Sequence, residues 1–383
     1  MKFYSFPQLV KTAILHGKVV SMKRKGIKTN RHIIVLESDD WGSIRIPNYL
    51  TIERLAAKRI KLCSPYSYDR FDTLASEIDL TSLMEVLNSV CDSNGRPAVI
   101  TLNTIVANPD FDKIQQSDYR QYFYEPFTET LKRYPHHANS FKYWKEGIEK
   151  GLFKPQFHGR EHLNSVQWMR SLQAGNQETL MAFSERCFSH LSNNCRFLDA
   201  YNAEFDIDYL GQEKAIREGL ELFEKIFGYR SNTMIAPCYM WDLQTEKYAW
   251  ENGVSILQGS PIQKCSNLFS QKYGSKKIGH YMGEKNELGQ LYTIRNCRFE
   301  PSDNPRFNGD FCLYEIKKQF QLKHPAIITC HRQNFIGELV PENRNKNLKD
   351  FKRLLQTIVK LWPDVEFMSS DELGSYLRTI IIK

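Results

Sequence analysis

The sequence predicts an α/β fold whose seven or eight parallel strands close into a barrel. Two observations carry this. Seven short, apolar, β-branched runs recur along the chain, and stretches with apolar residues at helical spacing lie between them. Strands alternating with helices need crossover connections and so a parallel sheet, and this many units favour a barrel. A length of 383 residues has room for one large barrel or for two smaller domains.

The first run, HIIVLES from His32 to Ser38, is apolar until it stops at a polar cluster. Further strands are predicted over Ala98 to Val106, Ser231 to Pro237, Val254 to Gly259, Leu291 to Phe299, Pro325 to His331 and Val365 to Ser370. Between them, QEKAIREGLELFEKIFG reads as a helix with Gly228 as its C-terminal cap. DLQTEKYAWENG opens on Asp242 as an N-cap and ends at Gly253. NLKDFKRLLQTIVKLWP is amphipathic and stops at Pro363. Residues 1–30 read as a basic amphipathic arm with a short helix from Phe6 to Leu15, and residues 31–383 as the barrel. The segment at about 109–154 breaks the rhythm. It is crowded with rings, among them Tyr119, Tyr122, Phe127, Tyr134 and Trp144, and reads as an insertion. It is either a stacking surface for sugars or a lid packed on its own small core.

Composition excludes several classes. Hydrophobic residues make up 41% and charged residues 25%, as in an ordinary globular chain, which argues against disorder or a fibrous fold. A net charge of +8 over this length is no nucleic-acid footprint. The densest basic stretch, Lys18 to Arg31, suits peripheral contact with anionic lipid, and its plainer reading is a solvated arm. Nine cysteines without a C-x-x-C pair point to a reducing compartment rather than a disulfide framework. Pro7, Gln8 and Lys11 interrupt the N-terminal apolar stretch, so no signal peptide is expected, and no run is long enough for a bilayer span. These features together predict a cytoplasmic protein.

Chemistry-bearing residues collect where strands end, the place where parallel α/β folds put their active sites. The first strand runs into Asp39 and Asp40; in extended geometry their side chains point to opposite sides, although adjacent acids are commonly just solvated turn residues. His158 and His162 are four apart, and on a helical turn would share a face and hold one metal, a spacing that surface helices also show by chance. His331 ends a nearly wholly apolar strand, as a core residue or as a site residue. Ile235 to Asp242, IAPCYMWD, is a strand end stopped by Pro237, whose turn frees backbone N–H groups to face an oxyanion.

In this order the four clusters resemble the polysaccharide deacetylase family, the NodB-homology group of carbohydrate esterases. The residues that carry the resemblance are Ser38-Asp39-Asp40-Trp41-Gly42, the pair His158 and His162, the turn Ile235-Ala236-Pro237-Cys238-Tyr239, and the strand end Thr329-Cys330-His331. The closing helix followed by VEFMSSDELGSYL is similar as well. The resemblance runs from about Ile33 to Leu377 and is patchy between motifs. It implies a distorted or incomplete (β/α) barrel and a divalent metal, zinc first with cobalt or nickel as alternatives, held by Asp40, His158 and His162. Asp39 would then be the general base, His331 the general acid, and the backbone N–H of Tyr239 an oxyanion donor. Trp41, Arg160, Trp241 and Arg332 are the expected substrate contacts. Two departures stand out. Ile235 occupies the position of the family's arginine, for which Arg160, Arg230 or Arg332 is the candidate replacement. The aspartate expected near the last histidine is not evident, and Asp206, Asp303 and Asp371 are the candidates.

The implied activity is removal of an N-acetyl or other acyl group from a carbohydrate. Two rivals are a glycoside hydrolase, with Asp39 or Glu37 paired to Asp206, and a non-catalytic glycan-binding protein on the same fold. A protein that binds lipid surfaces through the basic arm is a weaker third.

Overall fold

The computed structural model describes residues 25–64, 68–192, 195–274 and 276–381. The short helix expected from Phe6 to Leu15, and most of the basic arm, lie outside the described residues.

The main sheet is built from β1 (Ile33–Trp41), β2 (Ile100–Ile105), β3 (Phe153–Gly159), β4 (Thr233–Ile235), β5 (Ile256–Gly259), β6 (Leu291–Ile294), β7 (Cys297–Arg298), β8 (Ala326–His331) and β9 (Glu366–Met368). Eight strands follow one another in the order β6-β5-β4-β3-β2-β1-β8-β7, and β9 pairs with the start of β1. All these pairings are parallel. The eight curl through 259° as an open half-barrel, so the fold is a distorted (β/α) barrel.

Its two edges are consecutive in sequence. The strand predicted from Leu291 to Phe299 is split: its first half pairs with β5 and its second half with β8. Only Arg295 and Asn296 separate the halves, and they are bonded to the strands next to the two edges, β5 and β8. The Arg295 N–H donates to the Gly259 carbonyl at 2.9 Å, and the Asn296 N–H to that of Ile327 at 3.1 Å.

Alternation along β1 divides the core. Ile34 and Leu36 belong to one buried cluster, and Ile33 and Val35 to another on the opposite face of the strand. The helices named here are α1 (Glu77–Leu87), α2 (Ser140–Glu149), α3 (Asp208–Phe227), α4 (Leu243–Glu251), α5 (Gly309–Gln321), α6 (Pro341–Leu361) and α7 (Ser370–Ile381). Gly228 caps α3 in left-handed geometry (φ 78°), as its position predicts. Asp242 caps α4, accepting from the N–H groups of Gln244 and Thr245. No helix among the described residues is long and apolar enough to cross a membrane.

Helix α7 lies against β1, β5 and β6. A Cβ on its Gly374 would stand 2.2 Å from Ile256 Cδ1, so the helix sits this close only because the position has no side chain. Gly374→Ala is expected to destabilise the protein by about 1–3 kcal/mol through overpacking, measured by urea unfolding.

The ring-rich insertion packs onto the barrel body. Trp144 of α2 meets Trp41 edge-on at 5.8 Å and Phe127 at 5.2 Å, and Tyr119, Tyr122, Tyr134 and Phe141 are half-buried on the same cluster. None of the residues lining the cavity at the strand ends comes from 109–154, so the stacking-surface reading of this segment is not what the structure has.

Candidate active site

The strand ends converge on a cavity of about 230 Å³. It is lined by Asp39, Asp40, Arg45, His158, His162, Tyr239, Lys264 and His331, among others.

Asp39 and Asp40 do not face opposite ways. The ladder between β1 and β2 slips between Ser38 and Trp41, and Asp40 takes left-handed backbone at φ 73°. Aspartate tolerates that region better than most residues. The slip turns both carboxylates into the same cavity.

The two histidines are not on a helix either. His158 is near the end of β3, a strand the sequence reading missed, and His162 is in the loop that follows. Pro155, which resembles a strand breaker, sits where β3 has a neighbour on one side only: β2 pairs along its length, but β4 joins at Phe157.

Asp40, His158 and His162 are all buried, and one ligand atom from each lies within 4.8 Å of the others. Both imidazole Nε2 atoms approach Asp40 Oδ1, at 3.3 and 3.4 Å. The second oxygen, Oδ2, is taken by Arg45 Nη2 at 3.2 Å. The donor set fits a divalent metal on three counts. His158 Nδ1 lies 2.9 Å from the Ile235 carbonyl, which accepts its proton and leaves Nε2 bare toward the cluster. Burial holds His162 well below the usual imidazole range, in the neutral form that ligates. Burial alone would raise Asp40, but the Arg45 guanidinium holds it well below the ordinary carboxylate range.

Asp39 is clamped by an arginine the sequence reading did not choose. Arg295, at the junction of β6 and β7, donates from Nη1 to Asp39 Oδ2 at 2.6 Å and from Nη2 to Oδ1 at 2.7 Å. Its Nε donates to Glu37 Oε2 at 2.6 Å. All three side chains are buried. Burial pushes Asp39 up, the Arg295 guanidinium more than offsets it, and the carboxyl settles at about 2. Arg295 therefore pairs with the carboxylate in place of an arginine at position 235. The three candidates are occupied elsewhere: Arg160 with Glu161, Arg332 with Asp72, and Arg230 with the Asn252 carbonyl. The signal available in the sequence was an arginine directly after an apolar strand.

His331 is held by Glu300, which bonds its Nδ1 and in turn accepts from Asn334 Nδ2 at 2.8 Å. Burial works against the imidazolium, the Glu300 carboxylate outweighs it, and the group is raised to about 9. Its Nε2 is 3.7 Å from Asp39 Oδ2. The expected aspartate is thus a glutamate. Asp206 pairs with Lys272, Asp371 accepts from Ser369, and the backbone N–H of Asp303 bonds to the Glu300 carbonyl.

Four expected substrate contacts are not at the cavity. Trp41 is buried with its indole N–H on Ser38 Oγ at 2.9 Å, and Trp241 is buried on Glu246 at 2.8 Å. Arg160 and Arg332 are buried in the ion pairs already given. Each tips inward because apolar area or a buried acid claims it. Tyr239 does line the cavity, but its backbone N–H donates to the Ala236 carbonyl at 3.0 Å, so it is not free to face an oxyanion. Its hydroxyl accepts from Arg295 Nη1 at 3.0 Å. Asp206, the second carboxylate of the glycosidase reading, lines a different groove with Phe205 and Ile207. Asp39 thus has a guanidinium partner in Arg295, so the lack of an arginine at position 235 does not by itself favour a non-catalytic protein.

No family model and no curated protein matches the sequence. Among solved structures, 92% of the chain aligns with 92% of a Mycobacterium smegmatis protein assigned as a polysaccharide deacetylase, at 12% identity and TM-score 0.42. A second match is the 4-alpha-glucanotransferase of Thermococcus litoralis, with 91% of this chain on 40% of that one, 8% identity and TM-score 0.46. A third is a carbohydrate esterase family 4 pseudoenzyme of Bacillus anthracis, with 90% on 66%, 10% identity and TM-score 0.35. The chain is similar to polysaccharide deacetylases. At these identities and scores the likeness says nothing of the reaction.

Proposed function

We propose that the protein is a metal-dependent hydrolase that removes an N-acetyl or other acyl group from an amino sugar. The observation that carries the reading is the meeting, in one cavity, of an arginine-clamped Asp39, the Asp40–His158–His162 cluster and the Glu300-held His331.

Asp40, His158 and His162 would hold the ion, zinc by preference and cobalt or nickel otherwise. A divalent ion there supplies a Lewis acid and a water acidified to a pKa of about 7. Asp39 accepts the proton of the attacking water. At about 2 it is fully ionised but weakly basic, so the proton reaches it only as the new carbon–oxygen bond forms. Arg295 fixes the carboxylate in one orientation. His331, protonated at neutral pH, gives its Nε2 proton to the departing amine, and Glu300 keeps it charged until then. Arg45 leaves Asp40 Oδ1 as the oxygen that faces the two imidazoles.

The test is elemental analysis of the purified chain beside Asp40→Ala and His158→Ala, followed by acetate release from N-acetylated glycans. About one zinc or similar ion per chain is expected, lost in both variants together with activity. A wild type that stays metal-free after incubation with zinc, cobalt and nickel would sink the reading.

A further inference from the structure

We infer that the substrate is an anionic amino sugar, bearing a phosphate or a carboxylate that Lys264 binds at the cavity mouth. This rests on the deacetylase reading above and adds the chemical class of the sugar.

Lys264 is the uncommitted charge of the cavity. Among the lining residues, Asp39 is paired with Arg295, Asp40 with Arg45 and both imidazoles of its cluster, and His331 with Glu300. Lys264 is exposed and has no ion-pair partner among the described residues. Its backbone is nonetheless fixed beside the site. It closes the short strand Ile262–Lys264, bridges Met240, and its carbonyl accepts from the Trp241 N–H at 3.0 Å. That places it next to the Pro237–Tyr239 turn, which contributes Cys238 and Tyr239 to the wall.

Local charge favours an anion there. In the antiparallel ladder Lys264 stands directly opposite Lys277, which adds a second positive charge beside it. From Ser260 to Gly283 the chain carries Lys264, Lys272, Lys276 and Lys277 and not one acid, and of these Lys272 is paired with Asp206. A lysine ammonium is a compact, mobile point charge, suited to a phosphate or carboxylate whose exact position varies.

Size and wall chemistry point the same way. A cavity of about 230 Å³ is below the usual range for drug-sized ligands and suits one sugar ring rather than a run of polymer. Among the described residues, the rings at the cavity are already engaged and offer a neutral glycan little stacking surface. Trp41 and Trp241 are buried, the Tyr68 ring has the Arg45 guanidinium over it at 5.9 Å and meets His331 at right angles at 4.8 Å, and Arg295 lies over the Tyr239 ring at 5.8 Å. Among the described lining residues, the Lys264 ammonium is the charge left to recognise the substrate.

The test compares N-acetylglucosamine, its 1- and 6-phosphates, N-acetylmuramic acid and chitotetraose, using the metal-loaded full chain. Acetate release and calorimetric binding are both measured, for wild type, Lys264→Met and Lys264→Arg. At least one anionic sugar is expected to exceed its neutral counterpart about tenfold in kcat/KM. Lys264→Met should remove that preference through KM, Lys264→Arg should keep most of it, and added salt should weaken it. The arm that responds separates phosphate from carboxylate. Equal use of neutral and anionic sugars, a preference for chitotetraose, or a preference untouched by Lys264→Met overturns the inference. If no sugar releases acetate, the deacetylase reading falls and binding decides the rest. Tighter, Lys264-dependent binding of an anionic sugar upholds the anion site, and equal or absent binding overturns it.

Discussion

Replacing Arg295 with methionine is expected to cost about 3–5 kcal/mol of stability, the penalty for leaving a buried charge without its partner. The cost is large because one guanidinium serves two acids. Glu37 and Asp39 both lie against it, almost wholly shielded from water. Ser370 Oγ still donates to Glu37 at 2.8 Å and Asn103 Nδ2 to Asp39 at 2.8 Å, but neither carries charge. Urea unfolding reads the loss directly. Activity should fall further than stability explains, because burial then drives Asp39 upward and its orientation is lost. Arg295→Lys should recover part of the stability and little of the activity, since an ammonium cannot make the two-pronged contact. A methionine variant as stable as wild type would mean that Glu37 and Asp39 share a proton and need no cation.

The second large effect concerns pH. In the wild type, kcat should fall as pH rises through the pKa of His331, at about 9 or lower once a cation is bound nearby. Burial and Glu300 pull this group in opposite directions, and Glu300 wins. With Glu300→Gln burial is opposed only by Asp39 and Asp40, and the imidazole drops from about 9 toward its ordinary value of about 6.5. The alkaline limb therefore moves down by about one to two pH units, and at pH 8 the variant should be slower by about tenfold. A kcat–pH profile on one substrate checks this. An alkaline limb that stays in place would assign the acid to another group.

Sequence alone exposed much of this arrangement, and the parts it concealed share a cause. Asp39, Asp40, His158, His162 and His331 were legible because each stands at or near a strand end or in a recognisable spacing, and the structure gathers all five into one cavity. Arg295 and Glu300 were not. Their partners lie 256 and 31 residues away, and nothing local marks a charged residue as paired. β3 was hidden by Pro155, tolerated only because its neighbour strand starts two residues later. The four supposed sugar contacts failed for the opposite reason. Trp41, Trp241, Arg160 and Arg332 are adjacent in sequence to site motifs, yet buried rings and acids claim their side chains.

The junction of β6 and β7 joins the two edges of the barrel, and the same residue secures the proposed base. Closure of the fold and ionisation of Asp39 are therefore thermodynamically linked. The folded-state pKa of Asp39, about 2, lies below the 3.8 of a free aspartate. The pairing thus contributes its full stability above about pH 4 and loses it as pH falls toward 2. Acid unfolding should begin at this seam, with amide exchange at Arg295 and Asn296 rising before that of β2 and β3 in the middle of the sheet. By reciprocity, any ligand that orders Asp39 tightens the barrel as a whole, so melting temperature becomes a measure of site occupancy.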